Sequence, residues 1–99
     1  MSTTMIGVTA KVKIHPGLEE EFENECRQMV RDVAEIENGC NFYFVYRSKT
    51  EPQVYITMEE FRDKEAIEFH RQADHTRRLE PMFDRFFVEE PIIEVFESL

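Results

Sequence analysis

Residues 38–70 read NGCNFYFVYRSKTEPQVYITMEEFRDKEAIEFH. Within them CNFYFVYRS (40–48) is rich in aromatic and β-branched residues, the side chains that suit a pleated and half-buried surface, and it is assigned as a strand. Lys49-Thr50-Glu51-Pro52 forms a turn, and QVYITMEEF (53–61) is a further strand with Val54, Ile56 and Met58 on one face. So short a connection makes the pair antiparallel. Asp63 then caps a helix through Ala66, Ile67 and His70. The strand at 40–48 is apolar on both sides: Phe42, Phe44 and Tyr46 point one way, Tyr43 and Val45 the other. One layer of helices cannot cover both.

Working outward, MIGVTAKVKI (5–14) alternates Ile6, Val8, Ala10, Val12 and Ile14 against Gly7, Thr9, Lys11 and Lys13, the period-2 signature of a strand with one buried face. His15-Pro16-Gly17 breaks it. A helix follows with Leu18, Phe22, Cys26, Met29, Val33 and Ile36 at steps of three and four, its acidic first turn favoured by the macrodipole. Asn38-Gly39 ends that helix with a residue tolerant of positive φ. Beyond the second helix the chain pauses near Ala73-Asp74, and a third helix carries Leu79, Met82, Phe83 and Phe86, kinked or restarted at Pro81. IIEVFES (92–98) is a fourth strand. The order β-α-β-β-α(α)-β predicts one α+β domain over residues 1–99, a ferredoxin-like split βαβ unit with helices on one face of a four-stranded antiparallel sheet. Tyr43, Val45, Tyr55 and the last strand are expected to leave the other face apolar and bare, which points to a homodimer built by two sheets meeting about a two-fold axis.

Composition limits the function. Twelve basic and 21 acidic residues give a net charge of −9, so the surface repels polyanions; nucleic acid and anionic membranes are poor partners. No long apolar run exists to span a bilayer. For 11.9 kDa, surface scaling gives about 6,000 Å² folded against about 17,000 Å² extended, enough burial for a thin core. Cys26 and Cys40 lack a paired-motif spacing, and no signal-peptide apolar region opens the chain. They are expected to be buried thiols in a cytoplasmic protein.

NGCNFYFVYRS, the turn, and VYITMEEFRDKEAIEFHRQADH (38–75) together resemble the antibiotic biosynthesis monooxygenase (ABM) superfamily of small dimeric α+β barrels. The likeness rests on Gly39-Cys40 opening a strand, Tyr46-Arg47-Ser48 leaving it, and a strand-turn-helix ending in His70-x4-His75; by order and length it spans nearly the whole chain. It implies a cofactor-independent monooxygenase acting on a small aromatic, quinol-type substrate. The superfamily also holds haem-degrading enzymes, an isomerase of a phosphorylated signalling sugar, and members without assigned chemistry. The chain departs from its pattern in two places. Glu60-Phe61 replaces a Glu-Trp pair common before the second helix, and the Asn, Trp and His of the haem-degrading branch fall on Ala10, His70 and Glu80, which demotes that reading.

Quinol oxidation without a cofactor requires an apolar pocket and a base that removes a phenolic proton, because the anion reduces dioxygen far more readily than the phenol. Histidine suits this task, its unperturbed pKa lying near neutrality. His70, on the inward face with Ala66 and Ile67, is the candidate base; a backbone hydrogen bond would equally satisfy an inward imidazole. His75 lies roughly 500° further round an ideal helix, so the pair shares a face only if the helix breaks between them. Phe44, Tyr46, Phe61 and Phe83 are candidate pocket residues from a large aromatic set, and Arg47 a candidate anchor for an anionic group or, equally, a surface partner of Glu59 or Glu60. No metal is expected, because His70, His75 and Cys40 match no ligand-spacing motif. His15 is assigned no role and Cys40 is read as a packing residue. The pocket is placed between the sheet and the short C-terminal helices, where the break at Pro81 prevents a continuous ridge from filling the groove. The alternatives are a ligand-binding dimer without chemistry and the isomerase.

Overall fold

Alternation in the first segment produces β1 (Ile6–Lys13), and the heptad-like apolar spacing after Pro16 produces α1 (Glu19–Ile36). The hairpin follows as β2 (Cys40–Arg47) and β3 (Val54–Phe61). Asp63 caps α2 (Lys64–Gln72), its carboxylate accepting the Ala66 amide at 2.9 Å. Extended backbone at Ala73 (φ −62°, ψ 143°) ends α2, and a single short turn, α3 (Asp74–Arg77), leads to α4 (Glu80–Phe86). Pro81 lies in the first turn of α4, where the missing N–H costs nothing. β4 (Ile92–Glu97) closes the chain. This computed structural model describes residues 4–99, so positions 1–3 of the domain expected over 1–99 lie outside them.

The sheet order is β2-β3-β1-β4 and every pairing is antiparallel, the ferredoxin-like arrangement expected from the element order. Val8 pairs with Glu59 and Val95, Ala10 with Thr57 and Ile93, and Tyr43 lies opposite Glu59, which puts all of these on the helix side. The core on that side is Val12, Ile14, Phe22, Tyr55 and Phe86, with Phe61, Ala66 and Ile67 forming a second cluster around Val8. Among the described residues no helix is long and apolar enough to cross a membrane.

Two expectations are corrected. Tyr43, Val45 and Tyr55 do not lie on the bare face: Tyr55 is buried among Val12, Phe22 and Phe86, and Val45 packs against them. The cause in β2 is a bulge between Cys40 and Phe42, which inserts Asn41 and flips the alternation of every later residue. Phe42, Phe44 and Tyr46 therefore point away from the helices, where Met58, Ile92 and Phe96 join them in leaving much of their surface open. The second correction concerns Gly39, which does not take a positive φ; only Gly17 (91°) and Gln53 (66°) do among the described residues. Glycine is needed at 39 for a different reason. A Cβ there would stand 2.5 Å from Ala66 Cβ, so its absence lets the α1–β2 connection press against α2.

Candidate functional site

That close approach determines what meets beneath α2. α1 ends because Glu37 is extended (φ −98°, ψ 91°), and this turns its carboxylate inward to 4% exposure. On α2, Ala66, Ile67 and His70 form the buried stripe, as the helical spacing predicts. The break at Ala73 then swings His75 back onto the same centre. His70 Nδ1 lies 2.9 Å and His75 Nε2 2.5 Å from one oxygen, Glu37 Oε2. Both imidazoles are buried, at 9% and 7% exposure. The required helix break is thus present, and the two histidines converge through a carboxylate that spacing did not reveal.

An ionised carboxylate only accepts hydrogen bonds, so His70 carries its proton on Nδ1 and His75 on Nε2 when each is neutral. His70 Nε2 is left free as an acceptor. It faces a second buried carboxylate, Glu59, whose Oε1 is 3.8 Å away. Glu59 is fixed from behind: its Oε2 accepts the Thr57 hydroxyl at 2.7 Å, and Thr57 Oγ1 accepts the Ala10 amide at 2.9 Å. The rings of Phe61 and Tyr43 flank His70 at centroid distances of 5.0 and 5.5 Å.

The two carboxyls are driven apart. Burial would raise Glu37, but the hydrogen bonds from His70 and His75 and their charges outweigh it and hold the group below its ordinary range. Glu59 moves upward, chiefly through burial and with a further push from Glu37, against the opposing Thr57 hydrogen bond and His70. Burial beside acidic neighbours pushes the Cys40 thiol up to about 12, in keeping with a packing residue rather than a nucleophile.

His70 and Glu59 open onto a cavity of about 300 Å³ between the sheet and α2–α4, with Phe22, Cys26 and Met29 of α1 also lining it. Its walls are mostly apolar, with Val8, Val45, Ile67, Leu79 and Phe83 among them, and it continues to the uncovered inner side of β4 at Ile93 and Val95. Thr76 also borders it, and its hydroxyl oxygen is buried without a hydrogen-bond partner among the described residues.

The remaining candidates fall in different places. Phe83 lines the cavity. Phe61 is fully buried with its ring against His70 and does not line the space. Tyr46 lies on the outer face of the sheet, half exposed. Phe44 and Arg47 border a separate, more open groove of about 480 Å³ between α1 and β2. There Arg47 is held at 2.9 Å by Glu23, not by Glu59 or Glu60, and Tyr55 donates its hydroxyl to the same Glu23 oxygen at 2.7 Å. The groove is larger than the cavity, yet no buried base faces it.

Glu37 and Glu59 are the residues the sequence reading missed. A signal existed for each. A carboxylate at the C-cap of a helix opposes the macrodipole and needs a compensating cation or donor, which describes Glu37. Glu59 shares the inward face of β3 with Tyr55 and Thr57, a polar sequence for a buried side.

Comparison with known proteins agrees with this architecture. The Caulobacter crescentus CB15 protein described as a "putative antibiotic biosynthesis monooxygenase" superposes with a TM-score of 0.92 at 30% identity, over 98% of this chain and 92% of its own. A conserved protein from Methanosarcina mazei Go1 gives 0.87 at 26% identity, over 95% and 92% of the two chains. In sequence, the Bacillus subtilis (strain 168) protein named "Putative monooxygenase YcnE" is 28% identical over 71 residues, 72% of this chain and 74% of that one. The family model for antibiotic biosynthesis monooxygenases matches residues 5–80, a stretch that runs from β1 into α4 and takes in Glu37, Glu59, His70 and His75. On that match, and on a fold reproduced across both chains' lengths, the chain belongs to the antibiotic biosynthesis monooxygenase family.

Proposed function

We propose that this protein is a cofactor-independent monooxygenase that oxidises a small, electron-rich aromatic of the quinol type in the cavity beneath α2–α4. The observation that carries the reading is the orientation of His70. With Nδ1 committed to Glu37, its Nε2 is an acceptor at the wall of an apolar space, where a phenol can reach it. Proton transfer to Nε2 leaves a phenolate, and the Glu37 carboxylate stabilises the imidazolium that forms. The phenolate gives an electron to dioxygen. Recombination builds a carbon–oxygen bond, and one oxygen atom ends in the product and the other in water, with the electrons drawn from the substrate. The apolar wall favours this sequence, because an oxygen molecule and a flat ring both partition into it.

The other members of the superfamily named above fit less well. A phosphorylated sugar needs a cation at the ligand, and the basic residue bordering the cavity, Arg71, is exposed and paired with Glu68 at 2.7 Å. For haem degradation, the strand-one position carries Ala10, which brings only a methyl group to the cavity wall.

We also propose that two copies associate through the outer faces of their sheets. Phe42, Phe44, Tyr46, Met58, Ile92 and Phe96 lie open there, and the accessible surface of 7031 Å² exceeds the ~6,000 Å² that mass scaling gives.

An oxygen electrode with a panel of hydroquinones and naphthoquinols tests the activity. Uptake above background that disappears in His70→Ala is the expected result. Background uptake throughout, with ligand-dependent Tm shifts alone, would replace the enzyme by a binding protein.

A further inference from the structure

We propose that Glu37, His70 and His75 form a binding site for a borderline divalent cation of the zinc type, held at the point where their three donor atoms converge. The three offer one ligand atom each within 4.8 Å of one another, and all three residues are buried. The atoms are Glu37 Oε2, His70 Nδ1 and His75 Nε2, with the carboxylate oxygen 2.9 and 2.5 Å from the two nitrogens. Donors bound tetrahedrally at about 2.1 Å lie about 3.4 Å apart. The carboxylate oxygen therefore has to withdraw by less than about 1 Å from each nitrogen, while the two nitrogens, within 4.8 Å of each other, draw together to the same spacing. Sequence spacing conceals this site because the carboxylate comes from the end of α1, 33 residues before His70.

The surroundings meet the two further needs of such an ion. A metal-bound imidazole characteristically directs its other nitrogen at a carboxylate. With an ion on Nδ1, His70 must carry its proton on Nε2, and that atom lies 3.8 Å from Glu59 Oε1, itself anchored by Thr57. Charge also balances, since a doubly positive ion is matched by Glu37 and Glu59 inside the fold. Two imidazoles and one carboxylate select the zinc, nickel and cobalt class over magnesium or calcium, which take oxygen donors. The ion and the relay proposed above exclude each other: an ion on Nδ1 turns Nε2 into a donor, so the metal-loaded form lacks the cavity-facing base. The site itself rests on geometry and stands apart from the assignment of activity.

The test is a titration of the chelator-treated full chain with Co²⁺, read as visible d–d absorption, beside Tm measured with Zn²⁺ and with Mg²⁺. A band at one Co²⁺ per chain that Zn²⁺ displaces is expected, with a Zn²⁺-induced Tm rise of about 5 °C or more and no response to Mg²⁺. His75→Ala should abolish the band, Glu37→Gln should weaken binding at least about tenfold, and Glu59→Gln about 10- to 100-fold. His15→Ala, far from the cluster in the chain, should leave it intact. A spectrum identical to aqueous Co²⁺ with no Tm response in the unmodified chain would overturn the proposal, as would unchanged affinity in both Glu37→Gln and His75→Ala. Because the unmodified chain alone can refute it, a poorly folding variant does not shelter the idea.

Discussion

Glu37 Oε2 and His70 Nδ1 stand 2.9 Å apart, joining the end of α1 to the last turn of α2 across 33 residues. This contact fixes the neutral tautomer in which His70 Nε2 is left as an acceptor, the state that the proposed proton transfer requires. Glu37→Gln removes the charge and presents an amide that can donate as well as accept, so Nδ1–H is no longer enforced. Quinol-dependent oxygen uptake is expected to fall about 10²- to 10⁴-fold in kcat, with little change in KM because Glu37 does not border the cavity. Glu37→Ala goes further and leaves two buried imidazoles without their acceptor. Urea denaturation should report a loss of about 3–5 kcal/mol.

The approach that permits this contact depends on Gly39. A methyl group at this position would lie 2.5 Å from Ala66 Cβ and 3.4 Å from Ala66 Cα, and Arg62 N donates to Gly39 O at 2.8 Å, so neither segment can retreat without breaking the sheet edge. Gly39→Ala is expected to cost about 1–3 kcal/mol by chemical denaturation, the range for overpacking, and to reduce activity by displacing α2. The compensating Gly39→Ala/Ala66→Gly variant should regain much of the loss. An additive double variant would show that the clash is not what matters.

Element order, the Asp63 cap, the inward stripe Ala66–Ile67–His70 and the break at Ala73 were all legible, because each follows from local spacing or capping chemistry. Which face of the sheet looks inward was not. Val54, Ile56 and Met58 form the more apolar side of β3, and binary patterning turns that side toward the core. The structure instead turns Tyr55, Thr57 and Glu59 toward the helices, with Tyr55 and Glu59 buried and Met58 exposed on the other side, since the polar pair serves His70. Patterning fails here where the site needs polar groups inside. In β2 the miss has another origin: a one-residue bulge at Asn41 reverses the alternation, and nothing in the composition of CNFYFVYRS marks it. Glu37 escaped notice because its partners lie more than thirty residues away and the convergence is tertiary.

The opposite shifts of the two carboxyls give stability a definite dependence on pH. Glu59 has a folded pKa above its ordinary 4.5, so ionisation opposes folding, and that penalty is relieved as pH falls through the raised value toward 4.5. Glu37 is depressed below 4.5; its stabilisation is complete above that pH and is lost as pH falls through the folded value. Glu59→Gln, which retains an acceptor for Thr57, should therefore raise Tm at pH 7–8, and the gain over the unmodified chain should shrink toward zero near pH 4.5. Glu37→Gln should lower Tm at pH 7, and the deficit should narrow only below pH 4.5. Scanning calorimetry from pH 3 to 8 measures both differences. A Glu59→Gln gain that is constant with pH would mean that packing, not ionisation, produces it.

The outer face of the sheet makes the last prediction. Phe44 lies opposite Met58 across β2 and β3, and the Phe42 and Phe44 rings stack with centroids 6.1 Å apart, a row of apolar side chains nearly half exposed in the single chain. Covering such a row against its own copy removes it from water about a two-fold axis, whereas a charge placed in its middle would meet its own copy across that axis and remain unpaired. Sedimentation velocity at micromolar concentration should give a dimer for the unmodified chain and a monomer for Phe44→Asp, with the dimer Kd raised at least about 100-fold. Because Phe44 is on the side away from the helices, Phe44→Asp should keep its far-ultraviolet circular dichroism, and any loss of oxygen uptake in a folded monomer would show that the cavity works only when a second sheet closes behind it. A species near 11.9 kDa for the unmodified chain would instead mean that this face is left for some other partner.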